Sequence, residues 1–184
     1  PRIGRQEPRH DPRDVTSLSE WRVTGIAQDR WGSLWVGTNG GGLDRFDAEN
    51  ERFTAYHYDP SSTESLPSDV VTALYVDRQG TLWVGTDNGL ARFDRQGERF
   101  IVLPLSASDD ELGGDEIVRA LLEDGQGRLW IGTEGGGLKS FEPGTGLMTT
   151  YRHDKDDPGS LRNNLIYALF EDSHGVLWVG TEGG

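Results

Sequence analysis

One phrase recurs four times along this chain, and its spacing limits the possible folds more than any other feature. It reads Leu34-Trp35-Val36-Gly37-Thr38, Leu82-Trp83-Val84-Gly85-Thr86, Leu129-Trp130-Ile131-Gly132-Thr133 and Leu177-Trp178-Val179-Gly180-Thr181. The tryptophans lie 48, 47 and 48 residues apart. The short interval has a visible cause: Asp87-Asn88-Gly89-Leu90 is one residue shorter than Asn39-Gly40-Gly41-Gly42-Leu43 and Glu134-Gly135-Gly136-Gly137-Leu138. An aspartate stands six residues before each tryptophan (Asp29, Asp77, Asp124, Asp172) and a glycine three before it (Gly32, Gly80, Gly127, Gly175). A fixed period of this length marks a chain built by repeating one supersecondary unit.

The second copy shows what the unit is. Val70 to Val76 is an apolar, β-branched run, and Asp77-Arg78-Gln79-Gly80 is a turn in which Asp bonds its own backbone and Gly supplies positive φ. Thr81 to Thr86 is apolar on both faces, as a strand sandwiched between neighbours should be. Leu90 to Asp94 and Glu98 to Leu103 follow, separated by Arg95-Gln96-Gly97. Helical periodicity is absent, and turn residues recur at all-β spacing. Four antiparallel strands in a repeat of this size make one β-propeller blade, so the fold class is all-β, a partial propeller. The expected division is residues 1–22 as the end of a preceding repeat and its inter-blade loop, 23–69 as blade 1, 70–116 as blade 2, 117–164 as blade 3 and 165–184 as the first half of blade 4. Arg9-His10-Asp11 leading to Ser17-Leu18 matches Arg152-His153-Asp154 leading to Ser160-Leu161, which reads as a segment cut from a longer array. Trp35, Trp83, Trp130 and Trp178 are expected to form a repeated core between blades, with the small Ala73, Ala120 and Ala168 crowding the axis.

Composition narrows the partners. Hydrophobic residues are 34% of the 184, and glycine supplies 26, which suits short strands and tight turns. A net charge of −13 repels phosphate backbones and anionic lipid, so nucleic acid and direct membrane insertion are poor expectations. With no cysteine there is neither a disulfide framework nor a thiolate metal site. No apolar run has the length of a membrane-spanning helix.

The full phrase, with its Asp-x-x-Gly turn, its Leu-Trp-Val/Ile-Gly-Thr strand and the Gly-Gly-Leu that follows, resembles the two-component regulator propeller repeat. Residues 120–138 come close to that pattern, and the Ser-Leu-bearing loops 59–70 and 154–165 fit it too. The resemblance implies a seven-bladed propeller, often paired, forming the extracytoplasmic (periplasmic) sensor of a bacterial receptor. The outputs of such receptors are histidine kinases, diguanylate cyclases or DNA-binding regulators, and several sense glycan fragments. Three copies and a part fall short of such a ring, so self-association or the remaining blades of a parent propeller are the expected protein partners.

Ligand contacts are sought where the copies differ on one face of the propeller: the loops after Gly-Thr and the starts of the first strands, near the axis. These are Asn39, Asp87, Asn88, Glu134 and Glu182 on the loops, and Arg22, Thr24, Thr72, Arg119 and Tyr167 at the strand starts, with Asp69 and Asn164 just before them. Carboxylates, amides, Arg and Tyr suit a sugar or an organic acid; the plain alternative is solvated turns. Trp31 replaces the Gln79, Gln126 and His174 of the other turns and is expected to pack on a blade edge or meet a protein.

Other motifs carry less. Gly113-Gly114-Asp115-Glu116-Ile117 resembles a diguanylate cyclase signature but lies in a loop between copies, away from any α/β domain. Asp109, Asp110, Glu111, Asp115 and Glu116 read as a solvated acidic run without calcium-loop spacing. The four histidines form no metal motif, so no metal, cofactor or catalytic residue is expected. The leading function is ligand sensing without catalysis. The alternatives are a docking or dimerisation scaffold and, less favoured, a propeller-type lyase or glycosidase using an unmarked carboxylate pair.

Overall fold

A computed structural model describes residues 10, 11, 13, 14, 16–105 and 117–183. The acidic run 109–116 therefore lies outside the described residues, and of the 113–117 motif only Ile117 is described. Among the described residues fourteen strands follow one another: β1 (Val23–Gln28), β2 (Leu34–Thr38), β3 (Leu43–Asp47), β4 (Arg52–Tyr56), β5 (Val71–Val76), β6 (Leu82–Thr86), β7 (Gly89–Asp94), β8 (Arg99–Leu103), β9 (Val118–Glu123), β10 (Leu129–Thr133), β11 (Leu138–Glu142), β12 (Leu147–Tyr151), β13 (Ile166–Glu171) and β14 (Leu177–Thr181). They form three four-stranded antiparallel meanders and one two-stranded sheet, β13–β14. Among the described residues there is no helix. The fold is all-β and that of a partial propeller.

The first strands β1, β5, β9 and β13 pack side by side, so they are the inner strands of successive blades. Each inner pair carries a register shift at the same place, between Val23 and Gly25, Val71 and Ala73, Gly132 and Thr133, and Ile166 and Ala168. Such bulges bend a strand and strengthen its twist. The hairpin between the first two strands is a three-residue loop with glycine in the left-handed region. Gly32 (φ 86°) donates to Asp29 O at 3.0 Å, and Asp29 N donates to Ser33 O at 3.0 Å.

The core lies in the seams between blades. Trp35 is fully buried; its ring centroid is 4.8 Å from that of Phe93 of the next blade, inclined at 62° to it, in a cluster with Leu66, Val71 and Leu82. Trp83 repeats this against Phe141, with Val118, Leu129 and Ile131 around it. Trp130 sits with Leu138 and Ile166. Trp178 differs from its counterparts: it is 60% exposed, because no further blade among the described residues covers β14.

Two roles within the phrase come from the structure. Its glycine permits the seam to close: a methyl built on Gly37, Gly85 or Gly132 would lie 2.6, 2.6 or 2.7 Å from Val71, Val118 or Ile166 of the next inner strand. Its aspartate and tryptophan are bonded. Trp Nε1 donates to the Asp Oδ2 six residues earlier at 3.1, 2.9, 2.8 and 2.9 Å in the four copies. The other carboxylate oxygen accepts two turn N–H groups, as in Asp77 with Gln79 and Thr81. One side chain thus closes the turn and satisfies the indole donor.

Candidate functional site

The loops before the inner strands and those after the second strands meet at one end of the propeller, through the same backbone bond in every blade. Asn39, Asp87, Glu134 and Glu182 donate their N–H to the carbonyls of Arg22, Val70, Ile117 and Leu165, at 2.9, 3.1, 2.9 and 3.1 Å. This lattice sets each loop residue beside the inner strand of its own blade. The residue eleven before each tryptophan is Thr24, Thr72, Arg119 or Tyr167, and the residue four after it is Asn39, Asp87, Glu134 or Glu182. The backbone framework repeats, and the side chains placed on it do not.

The side chains divide into engaged and open. Arg119 Nε donates to Glu134 Oε2 at 2.7 Å, and a second Arg119 nitrogen bonds the same oxygen, so these two candidates neutralise each other. Thr72 Oγ1 donates to Val118 O at 2.5 Å, across to the next inner strand. Asn88 Nδ2 donates to Pro67 O. Asp69 and Asn164 fasten loops: Asp69 Oδ1 accepts from Tyr58 N at 2.7 Å and Asn164 Oδ1 from His153 N at 2.6 Å. Their carbonyls also accept the N–H groups of Gly40 and Gly42, and of Gly135 and Gly137, from the loop after the second strand of the same repeat. Exposed side chains remain at Arg22, Thr24, Asp87 and Glu182, with Tyr167 at 55% exposure and Asn39 half-buried.

Trp21, 72% exposed with the Arg22 guanidinium 5.8 Å from its ring, belongs to the same end and was not among the expected contacts. It holds the alignment position of Asp69 and Asn164, so the comparison of copies that exposed Trp31 would have found it.

Asp44 is buried on β3. Its Oδ2 accepts from Ser19 Oγ at 2.6 Å and Ser19 N at 3.2 Å, and its Oδ1 has no hydrogen-bond partner. Burial pushes this carboxyl above its ordinary value despite the Ser19 bonds. Among the described residues, no three acidic or histidine side chains gather to hold a metal ion.

An antiparallel four-stranded blade repeated side by side, with a constant framework and loops that vary from blade to blade, defines a partial β-propeller. The chain belongs to the two component regulator propeller family, whose model matches residues 17–40, 65–88, 111–135 and 160–183, together just over half the chain. Among solved structures it is similar to the extracellular domain of a protein described as a hybrid two component system from B. thetaiotaomicron, with 24% identity over 96% of this chain and a TM-score of 0.77. It is also similar to the extracellular domain of a one component system from the same organism, with 25% identity over 89% of this chain and a TM-score of 0.70. The chain spans only 23% and 21% of those two domains. Virginiamycin B lyase from Staphylococcus aureus shares the fold at 18% identity and a TM-score of 0.60, over 88% of this chain and 49% of the lyase. Among curated proteins none matches.

Proposed function

We propose that this chain is a ligand-sensing segment of the extracytoplasmic propeller of a bacterial signalling receptor, and that it binds without catalysing. The observation that carries this reading is the contrast at the axial end, where a repeated backbone lattice bears Thr24, Thr72, Arg119 and Tyr167 at one position. A packing role would favour one residue type in every blade; a recognition role favours different ones. The open set of Arg22, Tyr167, Asp87 and Glu182, with the exposed Trp21 beside it, supplies hydrogen bonds and a stacking surface for a small hydroxylated ligand such as a glycan fragment. The family and the extracellular propellers it resembles support the receptor setting.

The test is a glycan-binding screen on the chain, followed by Tyr167→Ala and Arg22→Ala. Loss of binding in both variants supports the axial site; a ligand indifferent to both overturns it. A product assay on the same glycans should show no turnover.

The exposed Phe170, Val176 and Trp178 on one side and Val23 and Ile26 on the other are proposed to be covered by further blades, from the same polypeptide or a second copy. The support is that their counterparts Trp83 and Val71 are covered by the neighbouring blade.

A further inference from the structure

We infer that the seam between the first two blades, at the end opposite the axial loops, is a second binding site, for a small hydroxylated oxyanion. A groove of about 450 Å³ opens there, lined by the β1–β2 turn (Asp29, Trp31), the β5–β6 turn (Gln79 to Leu82) and the β7–β8 turn (Arg92 to Gln96). That volume lies within the range of small-molecule sites.

Charge decides what enters. The two acids in the wall are already spent. Asp29 is buried and accepts from Trp31 N, Ser33 N, Trp35 Nε1 and, at 2.9 Å, from Arg95. Asp94 accepts from Gln96 N at 3.1 Å and from Arg99 Nε at 3.1 Å. The cations are not spent to the same degree. Arg95 uses one nitrogen on Asp29, while Arg92 and Arg30 form no ion pair among the described residues. Arg30 runs along Gly80 in the groove wall, where an added methyl would lie 2.5 Å from its Cδ.

Trp31 organises this arrangement. Its ring centroid is 4.3 Å from the Arg30 guanidinium and 4.3 Å from that of Arg95. Cation–π attraction to the indole holds the Arg95 guanidinium at the groove, where it and Arg92 line the wall. The ring is thereby committed to cations, so an arriving ligand meets guanidinium groups rather than an aromatic face. Guanidinium forks match carboxylate, sulfate and phosphate oxygens. The Gln79 and Gln96 amides and the Thr81 hydroxyl in the same wall suit neighbouring ligand hydroxyls. On a chain of net charge −13, such a spot is a local exception that steers an anion to one place. No other turn matches it: at the position of Trp31 the other copies carry Gln79, Gln126 and His174, and at that of Arg95 they carry Ala48 and Pro143.

The test is calorimetric titration of the chain with glucose 6-phosphate, glucuronate and glucose. Binding of either anion, at least about tenfold tighter than glucose and weakened by added salt, is expected. The two anions separate a phosphate-type from a carboxylate-type ligand. Arg92→Gln, which leaves the Asp29–Arg95 contact in place, should weaken the anion about tenfold or more. Tyr167→Ala at the opposite end should leave it unchanged, so failure here is distinguishable from failure of the axial site. No binding by either anion, equal binding of glucose, or indifference to Arg92→Gln would each overturn the assignment.

Discussion

The strands β6 and β14 have the same five residues, Leu-Trp-Val-Gly-Thr, the same antiparallel partner geometry and the same bond from Trp Nε1 to an aspartate six residues earlier. Yet every residue of β6 is buried, and Trp83 is 2% exposed against 60% for Trp178. The difference is the neighbour. β6 is covered by the next blade, while β14 has none among the described residues. The pentapeptide and its turn therefore encode a hairpin that forms either way. The hydrophobic stabilisation, by contrast, is held in the seam and appears only when a second blade arrives. This is the nearest-neighbour logic of repeat architectures, in which an interface contributes as much as a unit does.

The sharpest way to break this comparison is to truncate the two tryptophans. Trp83→Ala should cost about 3–5 kcal/mol, the loss expected for a large buried ring. Trp178→Ala should stay within about 0.5 kcal/mol, as at exposed sites. Urea unfolding monitored by circular dichroism reads both. Equal losses would mean that β14 has a partner in solution, such as a second copy. The glycines give a smaller contrast. Gly85→Ala and Gly132→Ala drive a methyl into Val118 or Ile166 and should cost about 1–3 kcal/mol. Gly180→Ala meets atoms of Ala168 no nearer than 3.5 Å, ordinary contacts, and should be near neutral by the same measurement. A neutral Gly132→Ala would show that adjacent inner strands can separate at little cost.

Much of this was legible in the sequence, because a repeat tests each expectation several times. The four-strand unit, the Asp-x-x-Gly turn and the inward tryptophan all follow from period and residue type. What escaped depends on contacts between copies. Gly37, Gly85 and Gly132 read as parts of a phrase, and their reason is a side chain 33 or 34 residues further along the chain. Asp69 and Asn164 vary between copies, as ligand contacts would. Their carboxylate and amide oxygens nevertheless perform one shared task, accepting a loop N–H, which two acceptors of like shape do equally well. Trp31 stood out as a departure from the pattern, but Arg95, 64 residues later, could not be assigned to its ring without the fold. The sequence thus shows which residues are unusual, and the seams decide what they touch.

The smallest expected effect sharpens the comparison at the level of one hydrogen-bonded carboxylate. Burial pushes the Asp124 carboxyl up, but the Trp130 indole, the N–H groups of Arg128 and Gln126, and the Arg128 side chain outweigh it, so it lies below its ordinary value of 3.8. Asp172, half-buried on the uncovered hairpin, is held below the same value by Trp178 and by the N–H groups of Val176 and His174. A carboxylate held low in the folded state contributes stability that is fully present above the unfolded value and is lost as pH falls through the folded one. Asp124→Asn should therefore destabilise the chain at pH 7, by about 1–3 kcal/mol for bonds to a charged acceptor. Its deficit against the parent should shrink below pH 3.8, as the parent's own Asp124 takes up its proton. Asp172→Asn should show the same sign with a smaller deficit, because water replaces what the carboxylate gave. Denaturation at pH 7 and pH 3 separates the cases. If both variants lose equally at pH 7, the aspartate acts through its hairpin alone. If only Asp124→Asn loses, the bond matters because the seam has excluded water from it.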